Sequence, residues 1–339
     1  MNPALAVKLR PAGPWRSGPD SGARNQVDAL YHSDTLFAAV TSAMTQMGLL
    51  EEWLADTVTG EHAPALRFSS CFPFAGDILF VAPPRTLWPP PASALAVTRV
   101  RWKSARFVPR EVVVELAAGQ PPDEARWCVD GPSECLMEVG HAGPFRTAVR
   151  SNAAVDRLSG SSERHSTACL EFREGAGLWA LVSFADDEQR ERWSGRVRAA
   201  FRLLADSGFG GERSRGWGRA EDPEFLEGTL PDLVLPAAAQ EPAPDNARWL
   251  LSLYAPAATD EVDWTRGAYG LVVRGGRVES PAGHGALKKE LRMICEGSVL
   301  VGAAALRGSA PDVAPDGFPH PVYRAGYALS IPLPAQVTA

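Results

Sequence analysis

The amino-acid sequence predicts an α+β fold in two parts: an N-terminal part that mixes strands and helices, and a C-terminal part made mainly of strands. Two segments, 36–47 and 187–205, carry apolar residues at helical spacing. The N-terminal order is strand, helix, strand, inserted region, strand hairpin, helix, glycine-rich loop and strand. This order approximates the β-α-β-β-α-β ferredoxin-like arrangement. A stretch rich in alanine and proline at 231–247 predicts a linker.

Length and composition are those of a globular protein with room for two domains. The 339 residues are 45% hydrophobic and 22% charged, and the net charge at pH 7 is −6. Residues 141–219 carry 13 basic and 10 acidic side chains, a local charge of +3, while the remainder of the chain has −9. A bound nucleic acid would therefore occupy a local groove and not a generally basic surface.

Five cysteines, at 71, 128, 135, 169 and 295, form no C-x-x-C pair. Their odd number and wide spacing argue against a disulfide framework or a zinc site, and they fit a reducing, cytoplasmic setting. We expect no signal peptide, because the N-terminus has no long apolar segment. We expect no membrane span, because no apolar run approaches 18 residues.

Short apolar runs predict the strands of both parts. The pair at 168–173 and 178–184 is expected to form a hairpin across a glycine-containing turn. The other predicted strands lie at 4–9, 66–72, 77–81, 249–254, 268–274, 291–300 and 327–331.

The start of the first helix has two interpretations. Ser33 or Asp34 is a good N-cap, and Gly48 ends the helix. Helix capping accounts for the presence of His32 and Asp34 at this position about as well as contact with a ligand does. A helix N-terminus is itself an anion site, so both interpretations can hold together.

Two further regions place basic residues where a nucleic acid could lie. Residues 99–115 interleave arginine and lysine with aromatic residues, which would offer charge for phosphates and rings for bases. An amphipathic hairpin with a solvated face explains that spacing slightly better. Arg146, Arg150 and Arg157 could converge on one ligand or form a salt-bridged surface.

Residues 206–219, DSGFGGERSRGWGR, are the most distinctive stretch of the chain, with five glycines and three arginines. Glycine permits positive φ and close approach of a ligand, free N–H groups can bind an anion, and arginine matches phosphate. The stretch is neither a P-loop nor a dinucleotide fingerprint, because no lysine follows a glycine and the loop follows a helix. The alternative is a helix-capping glycine and a flexible turn.

Several segments resemble a known family. Residues 208–218 (GFGGERSRGWG) resemble the glycine-rich signature of RAMP proteins, the RNA-binding subunits of CRISPR systems. Residues 32–37 (HSDTLF), 155–160 (VDRLSG), 296–299 (EGSV) and 323–327 (YRAGY) are similar to segments of one subunit of type III-A (Csm) effector complexes. The glycine-rich loop alone indicates RAMP proteins generally, and the combination points to this subunit.

The resemblance implies tandem ferredoxin-like, RRM-like RAMP domains at 1–230 and 248–339, the second degenerate and strand-rich, with an inserted thumb at about 83–144. It implies a non-catalytic antiviral-defence subunit that caps the repeat-derived 5′ handle of the guide RNA (crRNA). The implied partners are this RNA, the large polymerase/cyclase-like subunit and a backbone filament subunit, with target RNA met only indirectly. No catalytic residue, cofactor, metal or membrane contact is expected.

Under this interpretation, RNA contacts are expected from the first helix start, the glycine-rich loop and the arginines between them. The predicted RNA-binding residues are His32, Ser33, Asp34, Arg150, Arg157, Gly208, Phe209, Gly210, Gly211, Arg213, Ser214, Arg215, Gly216, Trp217, Gly218 and Arg219. The thumb candidates are Arg101, Lys103, Arg106 and Phe107.

Two alternatives remain open from the sequence. Related RAMP proteins cut precursor guide RNA with a histidine and other acid–base groups. His32 with Tyr31 and Arg213, or His165, could act in that way, although no convincing histidine pair is present. The third possibility is a general single-strand binder outside CRISPR, against which the C-terminal resemblances argue.

Overall fold

The computed structural model describes residues 2–18, 23–60, 62–90, 100–235, 246–280, 282–302 and 305–333. The predicted linker at 231–247 lies largely outside these ranges. The helices are α1 (Ser33–Gln46), α2 (Leu50–Leu54), α3 (Arg110–Ala117) and α4 (Asp187–Ser207), with a π-helical turn at Ala55–Thr59 and 3₁₀ turns at Trp102–Ser104 and Arg213–Arg215. The strands are β1 (Asn2–Leu9), β2 (Leu66–Phe68), β3 (Phe72–Ala75), β4 (Ile78–Val81), β5 (Val108–Pro109), β6 (Trp127–Asp130), β7 (Cys135–Glu138), β8 (Phe145–Val155), β9 (Ser162–Phe172), β10 (Ala176–Phe184), β11 (Glu224–Leu230), β12 (Ala247–Leu250), β13 (Val262–Ala268), β14 (Leu271–Arg274), β15 (Arg277–Ser280), β16 (Gly283–Leu287), β17 (Leu291–Ile294), β18 (Val299–Gly302), β19 (Gly308–Ser309), β20 (Gly326–Tyr327) and β21 (Ser330–Pro332).

The N-terminal sheet has the strand order β11-β1-β10-β3-β4-β5, and β2 also pairs with β10. All of its pairs are antiparallel. β1 lies one strand in from the β11 edge, paired with β10 over Ala4–Leu9 and with β11 over Asn2–Lys8. All nine residues of β10 are buried, which explains why its sequence is a nearly continuous apolar run.

Helices α1 and α4 pack against each other, and α4 also packs on β1 and β10. Asp186 caps α4 by accepting the Gln189 N–H at 2.8 Å. Trp193, Phe201 and Leu204 form part of the buried stripe predicted from helical spacing. Each such fully buried side chain stabilises the fold by about 1.5–3 kcal/mol.

The predicted hairpin at 168–184 is wrong, because the two strands belong to different sheets. β9 pairs along its whole length with β8, and β10 pairs with β1, β2 and β3. The apolar run of β10 needs partners on both edges and cover on both faces, which one amphipathic neighbour could not supply. The β8–β9 ribbon is exposed toward its tip, where Leu158 is 99% exposed.

The region around 99–115 differs from the predicted hairpin. It forms a 3₁₀ turn, the two-residue strand β5 and then helix α3. Val112, Val113 and Ala117 are buried in α3, so tertiary packing outweighs the strand preference of three consecutive valines. The predicted thumb at 83–144 includes residues 91–99, which lie outside the described ranges, while Trp102, Phe107, Val113 and Leu136 belong to the main core.

The C-terminal residues form a four-stranded sheet in the order β13-β18-β12-β21, and smaller pairs β14–β17, β15–β16 and β19–β20. The predicted strand at 291–300 is two strands, because Gly297 turns the chain at φ 78° between β17 and β18. Across residues 246–280, 282–302 and 305–333, the structure contains no α-helix.

The main hydrophobic core spans both parts of the chain, and two smaller clusters lie within the C-terminal part. Trp249 Nε1–H donates to the carbonyl of Ala82 at 3.0 Å, and Tyr327 O–H donates to the carbonyl of Thr57 at 2.6 Å. Within the described part of the chain, no helix has the length and apolar character needed to cross a membrane.

Candidate nucleic-acid interface

The glycine-rich loop connects α4 to β11 and is fastened to the chain after β1. Gly208 ends α4 with φ 98°, and its N–H donates to the carbonyl of Leu204 at 2.8 Å. Gly211 N–H donates to the carbonyl of Arg16, and Gly218 N–H donates to that of Pro14, both at 2.9 Å. The loop is therefore a closed, hydrogen-bonded structure and not a flexible turn.

Two glycines are explained by packing within the protein. At Gly218, with φ 78°, a Cβ would overlap the carbonyl oxygen of Phe209. At Gly210, with φ 72°, a Cβ would overlap the carbonyl oxygen of Arg16. Gly216 also has positive φ, but nothing lies within 4 Å of its Cβ position. Of these three positions, Gly216 is the one that leaves room for a ligand.

The two aromatic residues of the loop are buried. Phe209 is 1% exposed and stacks on Trp15, with ring centroids 5.1 Å apart and an interplanar angle of 20°. Trp217 is 9% exposed. Both rings hold the loop against the core, so neither presents a face for base stacking in this conformation.

The loop arginines lie on the surface, and two of them have carboxylate partners. Arg213 pairs with Glu279 on β15. Arg215 lies 3.0 Å from a carboxylate oxygen of Glu212 and 3.3 Å from Nε2 of His165. Ser214 and Arg219 are exposed, and Arg219 has no ion pair among the described residues.

The β8–β9 ribbon carries the other two predicted arginines. Arg150 pairs with Glu171 of the neighbouring strand. Arg157, at the exposed tip, makes no ion pair within the described ranges. His165 brings the ribbon to the glycine-rich loop through Arg215. Exposed ion pairs contribute only about 0–1 kcal/mol, so a phosphate can replace the carboxylates of Glu171 and Glu212 at little cost.

The predicted residues at the start of α1 lie in a buried junction with the C-terminal strands. His32, Ser33 and Asp34 are 5%, 5% and 4% exposed. His32 Nδ1 is 2.7 Å from a carboxylate oxygen of Glu296, and Ser33 Oγ accepts the N–H of Leu253 at 3.0 Å. The structure thus separates these three residues from the exposed face of the glycine-rich loop.

Asp34 is the centre of the most highly charged part of this junction. Arg274 donates to both carboxylate oxygens of Asp34 at 3.1 Å, and Arg324 contacts the same carboxylate. Burial alone would raise the pKa of Asp34, but the two guanidinium groups outweigh it and lower the pKa to about 2. The carboxylate is therefore ionised and fully engaged.

His32 is held between two acids. Its Nε2 is 3.1 Å from Asp28, opposite the Nδ1 contact with Glu296. Burial disfavours the charged ring, but Glu296 and Asp28 together outweigh it and raise the pKa of His32 to about 10. A buried imidazolium cannot accept a proton near neutral pH, so His32 lacks the property that a general base requires.

Sequence reasoning did not single out Asp28, Arg274 or Glu296 as members of this junction. Glu296 and Arg324 stand inside the segments 296–299 and 323–327 that carried the family resemblance. The family resemblance therefore marked Glu296 and Arg324, but it did not predict that they contact His32 and Asp34. Only the packing of the two parts establishes the pairs.

A cleft of about 180 Å³ opens beside this junction. It is lined by Thr35, Arg277, Lys288 and Tyr323 together with the Asp34 cluster. Arg277 lies on β15, the strand whose Glu279 pairs with Arg213. The basic cleft and the glycine-rich loop therefore meet along one strand.

The thumb candidates separate into exposed and buried residues. Arg101 and Lys103 are exposed. Arg106 is partly exposed and lies 3.1 Å from the carboxylate of Asp28, and Phe107 is fully buried.

Among the described residues, no cluster of three histidine, cysteine or acidic side chains could hold a metal ion.

Comparison with known proteins gives consistent matches. Residues 244–333 match the family described as the CRISPR Csm4 C-terminal domain. The chain is 27% identical over 238 residues to the CRISPR system Cms protein Csm4 of Thermococcus onnurineus (strain NA1), covering 66% of this chain and 68% of that protein.

Solved structures show the same fold over nearly the whole chain. A chain of a Csm3-Csm4 subcomplex in the type III-A CRISPR-Cas interference complex matches with a TM-score of 0.61 and 15% identity, covering 97% of this chain and 99% of that one. A chain of a Csm1-Csm4 cassette in complex with cA4 matches with a TM-score of 0.58 and 20% identity, covering 98% of each. The resemblance stated from the sequence is thereby confirmed: the C-terminal residues match the Csm4 C-terminal domain, and the whole chain has the fold of a subunit found in type III-A (Csm) CRISPR complexes.

Proposed function

We propose that the chain is a non-catalytic RNA-binding subunit of a type III-A CRISPR effector complex, where it caps the 5′ repeat-derived handle of the guide RNA. It joins the large polymerase/cyclase-like subunit to the backbone filament. The structural similarity to chains from Csm1-Csm4 and Csm3-Csm4 assemblies supports the linking role. The observation that carries the RNA-binding role is the glycine-rich loop, which is hydrogen-bonded to the chain after β1 and presents Arg213, Arg215 and Arg219 on the surface.

The proposed RNA surface runs from the loop in two directions. On one side Arg215 meets the β8–β9 ribbon, which carries Arg150 and Arg157. On the other side Arg213 meets β15 and the basic cleft. Between these two sides, Ser214 is exposed and nothing lies within 4 Å of the Cβ position of Gly216. The RNA backbone can therefore lie along this part of the loop. The buried residues His32, Asp34 and Phe209 support this surface from behind.

We also propose that the two parts, 1–230 and 248–339, are tandem ferredoxin-like domains. In the first, the strands of the β-α-β-β-α-β unit stand in the order β11-β1-β10-β3, which is fourth, first, third, second. In the second, β21-β12-β18-β13 has the same order with all pairs antiparallel. Short strand pairs replace the helices there.

The insertion at 83–144 remains the proposed thumb, with Arg101 and Lys103 on its surface.

The nuclease alternative has less support. Its candidate group combines Tyr31 and His32, which are buried, with Arg213, which pairs with Glu279. His165 contacts Arg215 and no acidic side chain among the described residues.

Prolonged incubation of labelled repeat RNA with the pure protein, with and without Mg²⁺, tests whether the protein is a nuclease. Intact RNA is expected, and specific cleavage in the repeat would contradict a non-catalytic role.

The RNA-binding role is tested by titrating labelled guide RNA into the protein co-purified with the large subunit. The RNA carries either its 5′ handle or a scrambled one, and the protein is wild type or Arg213→Ala/Arg215→Ala. Each phosphate contact to single-stranded RNA contributes roughly 0.7 to the slope of log K against log salt, so the slope should fall by about 1.4 in the variant. Affinity for the handle should fall about tenfold or more, because two charged contacts are lost.

The matched control is Arg190→Ala/Arg196→Ala, which removes two arginines with similar surface ion pairs, to Asp187 and Glu52 on α4 and α2. This control should bind the handle RNA like wild type. Equal losses in both variants would mean that general charge, and not the glycine-rich loop, accounts for binding. Equal affinity for both RNAs would contradict handle recognition.

A further inference from the structure

A second cleft, of about 320 Å³, lies between the two parts of the chain. It is bounded by the start of β1, the ends of β10 and β11, and strands β12 and β21. Two arginines, Arg67 from β2 and Arg248 from β12, line it. Asn2, Ser183 and Ser330 add an amide and two hydroxyl groups, and the remaining walls are mainly aliphatic.

Neither arginine has a carboxylate partner among the described residues. Arg67 donates only a long hydrogen bond, 3.4 Å, to the carbonyl of Ala328. The Nε of Arg248 is buried and has no hydrogen-bond acceptor. This contrasts with Arg274 and Arg324, which share the carboxylate of Asp34. Partly desolvated cations without an ion-pair partner are costly, and none of the residues that line the cleft is acidic.

Burial lowers the pKa of both arginines. The pKa of Arg67 is affected further by nearby charges: Asp260 raises it, while Arg307 and Arg248 lower it. Both side chains nevertheless stay cationic at neutral pH, because an arginine loses its proton only under strongly basic conditions. The cleft therefore holds two like charges in a partly desolvated space.

We propose that this cleft binds a phosphomonoester, that is, a terminal phosphate group, through Arg67 and Arg248. A phosphomonoester carries about −1.5 to −2 charges at pH 7, which matches two guanidinium groups, whereas a phosphodiester or a carboxylate carries −1. The hydroxyls of Ser183 and Ser330 are suited to the remaining phosphate oxygens. The volume leaves space for part of the molecule that bears the phosphate.

This site is separate from the glycine-rich loop. Asn2 lines the cleft at the beginning of β1, while the loop is bonded to the chain beyond the other end of that strand, at Pro14 and Arg16. The eight residues of β1 span roughly 25 Å at about 3.3 Å per residue. Phosphate binding in the cleft therefore does not depend on the proposed RNA function, and either can fail alone.

The test is a thermal unfolding series of the full chain with inorganic phosphate, and with potassium chloride at matched ionic strength. Phosphate should raise the Tm of wild type by several degrees at about 100 times Kd, following the linkage between ligand binding and stability. Arg67→Gln/Arg248→Gln should lose the response, while Arg173→Gln, an exposed arginine elsewhere, should keep it. Without phosphate, Arg248→Met should have a Tm equal to or above that of wild type, because it removes a half-buried charge that has no ion-pair partner among the described residues.

Two further arms distinguish the source of the phosphate. Titrations use AMP, and a short RNA with either a 5′-phosphate or a 5′-hydroxyl end. A preference for the 5′-phosphorylated RNA assigns the site to an RNA terminus, and tighter binding of AMP assigns it to a free nucleotide.

Three results would overturn the proposal. The first is an equal Tm rise with potassium chloride. The second is an unchanged phosphate response in the double variant. The third is a response that appears only after Glu241→Gln/Asp245→Asn, which replaces acidic residues outside the described ranges and would mean that the arginines already have partners in the chain.

Discussion

The start of α1 and the glycine-rich loop are both polar motifs that the sequence assigned to RNA binding, but their environments are opposite. His32, Ser33 and Asp34 are nearly inaccessible, and each bonds to a residue of the C-terminal part. In the loop, Arg215 and Arg219 are exposed, and the ion pair of Arg215 is with a neighbour on the surface. The first motif joins the two parts of the protein, and the second remains available to a ligand.

The difference shows that burial, and not residue type, decides what a charged motif does. A buried ion pair is strongly interdependent, because removal of one member leaves the other charged and desolvated. An exposed pair exchanges readily with water, salt or a phosphate. The following variants test this contrast, beginning with the largest expected effect on stability.

Asp34→Ala should have the largest effect. It leaves Arg274 and Arg324 buried without their shared carboxylate. The free energy of unfolding should fall by about 3–5 kcal/mol, measured by urea denaturation. Asp34→Asn, which keeps the shape and loses the charge, should also be strongly destabilised. A change within about 0.5 kcal/mol, the range of an ordinary surface substitution, would contradict the assigned role.

Two alanine substitutions in the loop distinguish a glycine that close packing requires from a glycine that faces open space. Gly218→Ala combines positive φ with overlap of the Phe209 carbonyl and should cost about 2–4 kcal/mol. Gly216→Ala has a similar φ but open space around it, so it should cost only about 1 kcal/mol. Thermal and urea unfolding of both variants give the comparison. Equal costs would mean that the loop is not held by the close contact at Gly218.

The pH dependence of stability should come from the junction and not from surface histidines. The pKa of His32 is raised from 6.5 to about 10 in the folded chain. Its contribution is therefore complete below pH 6.5 and is lost as the pH rises toward 10. The pKa values of Asp34 and Glu296 are lowered in the folded chain, so these two carboxylates affect stability at acidic pH. Their contribution to the free energy of unfolding is lost as the pH falls below about 4.

Urea denaturation at intervals from pH 6 to pH 10 measures this slope. His32→Gln should lower stability at pH 6 and flatten the decline above it. His165→Gln, which replaces a histidine outside the junction, should keep the slope of wild type. A wild-type slope in His32→Gln would show that the pKa of this histidine is not raised.

Arg213→Ala/Arg215→Ala should have the smallest effect on stability. Their ion pairs with Glu279 and Glu212 are on the surface, so the free energy of unfolding should change by less than about 1 kcal/mol. RNA affinity of the same variant should fall as described above. A stability loss comparable to that of Asp34→Ala would assign these arginines to the fold and remove the contrast between the two motifs.

Local patterns in the sequence were sufficient for several features. Helical spacing predicted α1 and α4, because that signal acts within one or two turns of the chain. The N-cap predicted at Ser33 or Asp34 was wrong: α1 begins after His32, which makes no side-chain capping bond, and the side chains of Ser33 and Asp34 are engaged with the C-terminal part instead. The segments that carried the family resemblance, including 208–218 and 296–299, pointed to the same kind of protein as the comparisons, which match residues 244–333 to the Csm4 C-terminal domain. The peculiarity of the glycine-rich loop was also evident from composition alone.

Other features depended on contacts between distant residues. The pairing of β9 with β8 instead of β10, and the helix at Arg110–Ala117, were decided by which surfaces the rest of the fold covers. The sequence likewise could not place Asp34 beside Arg324, which is 290 residues away. Polar residue types determine which bonds a side chain can form, but only the tertiary structure determines whether its partner is another side chain, water or an RNA.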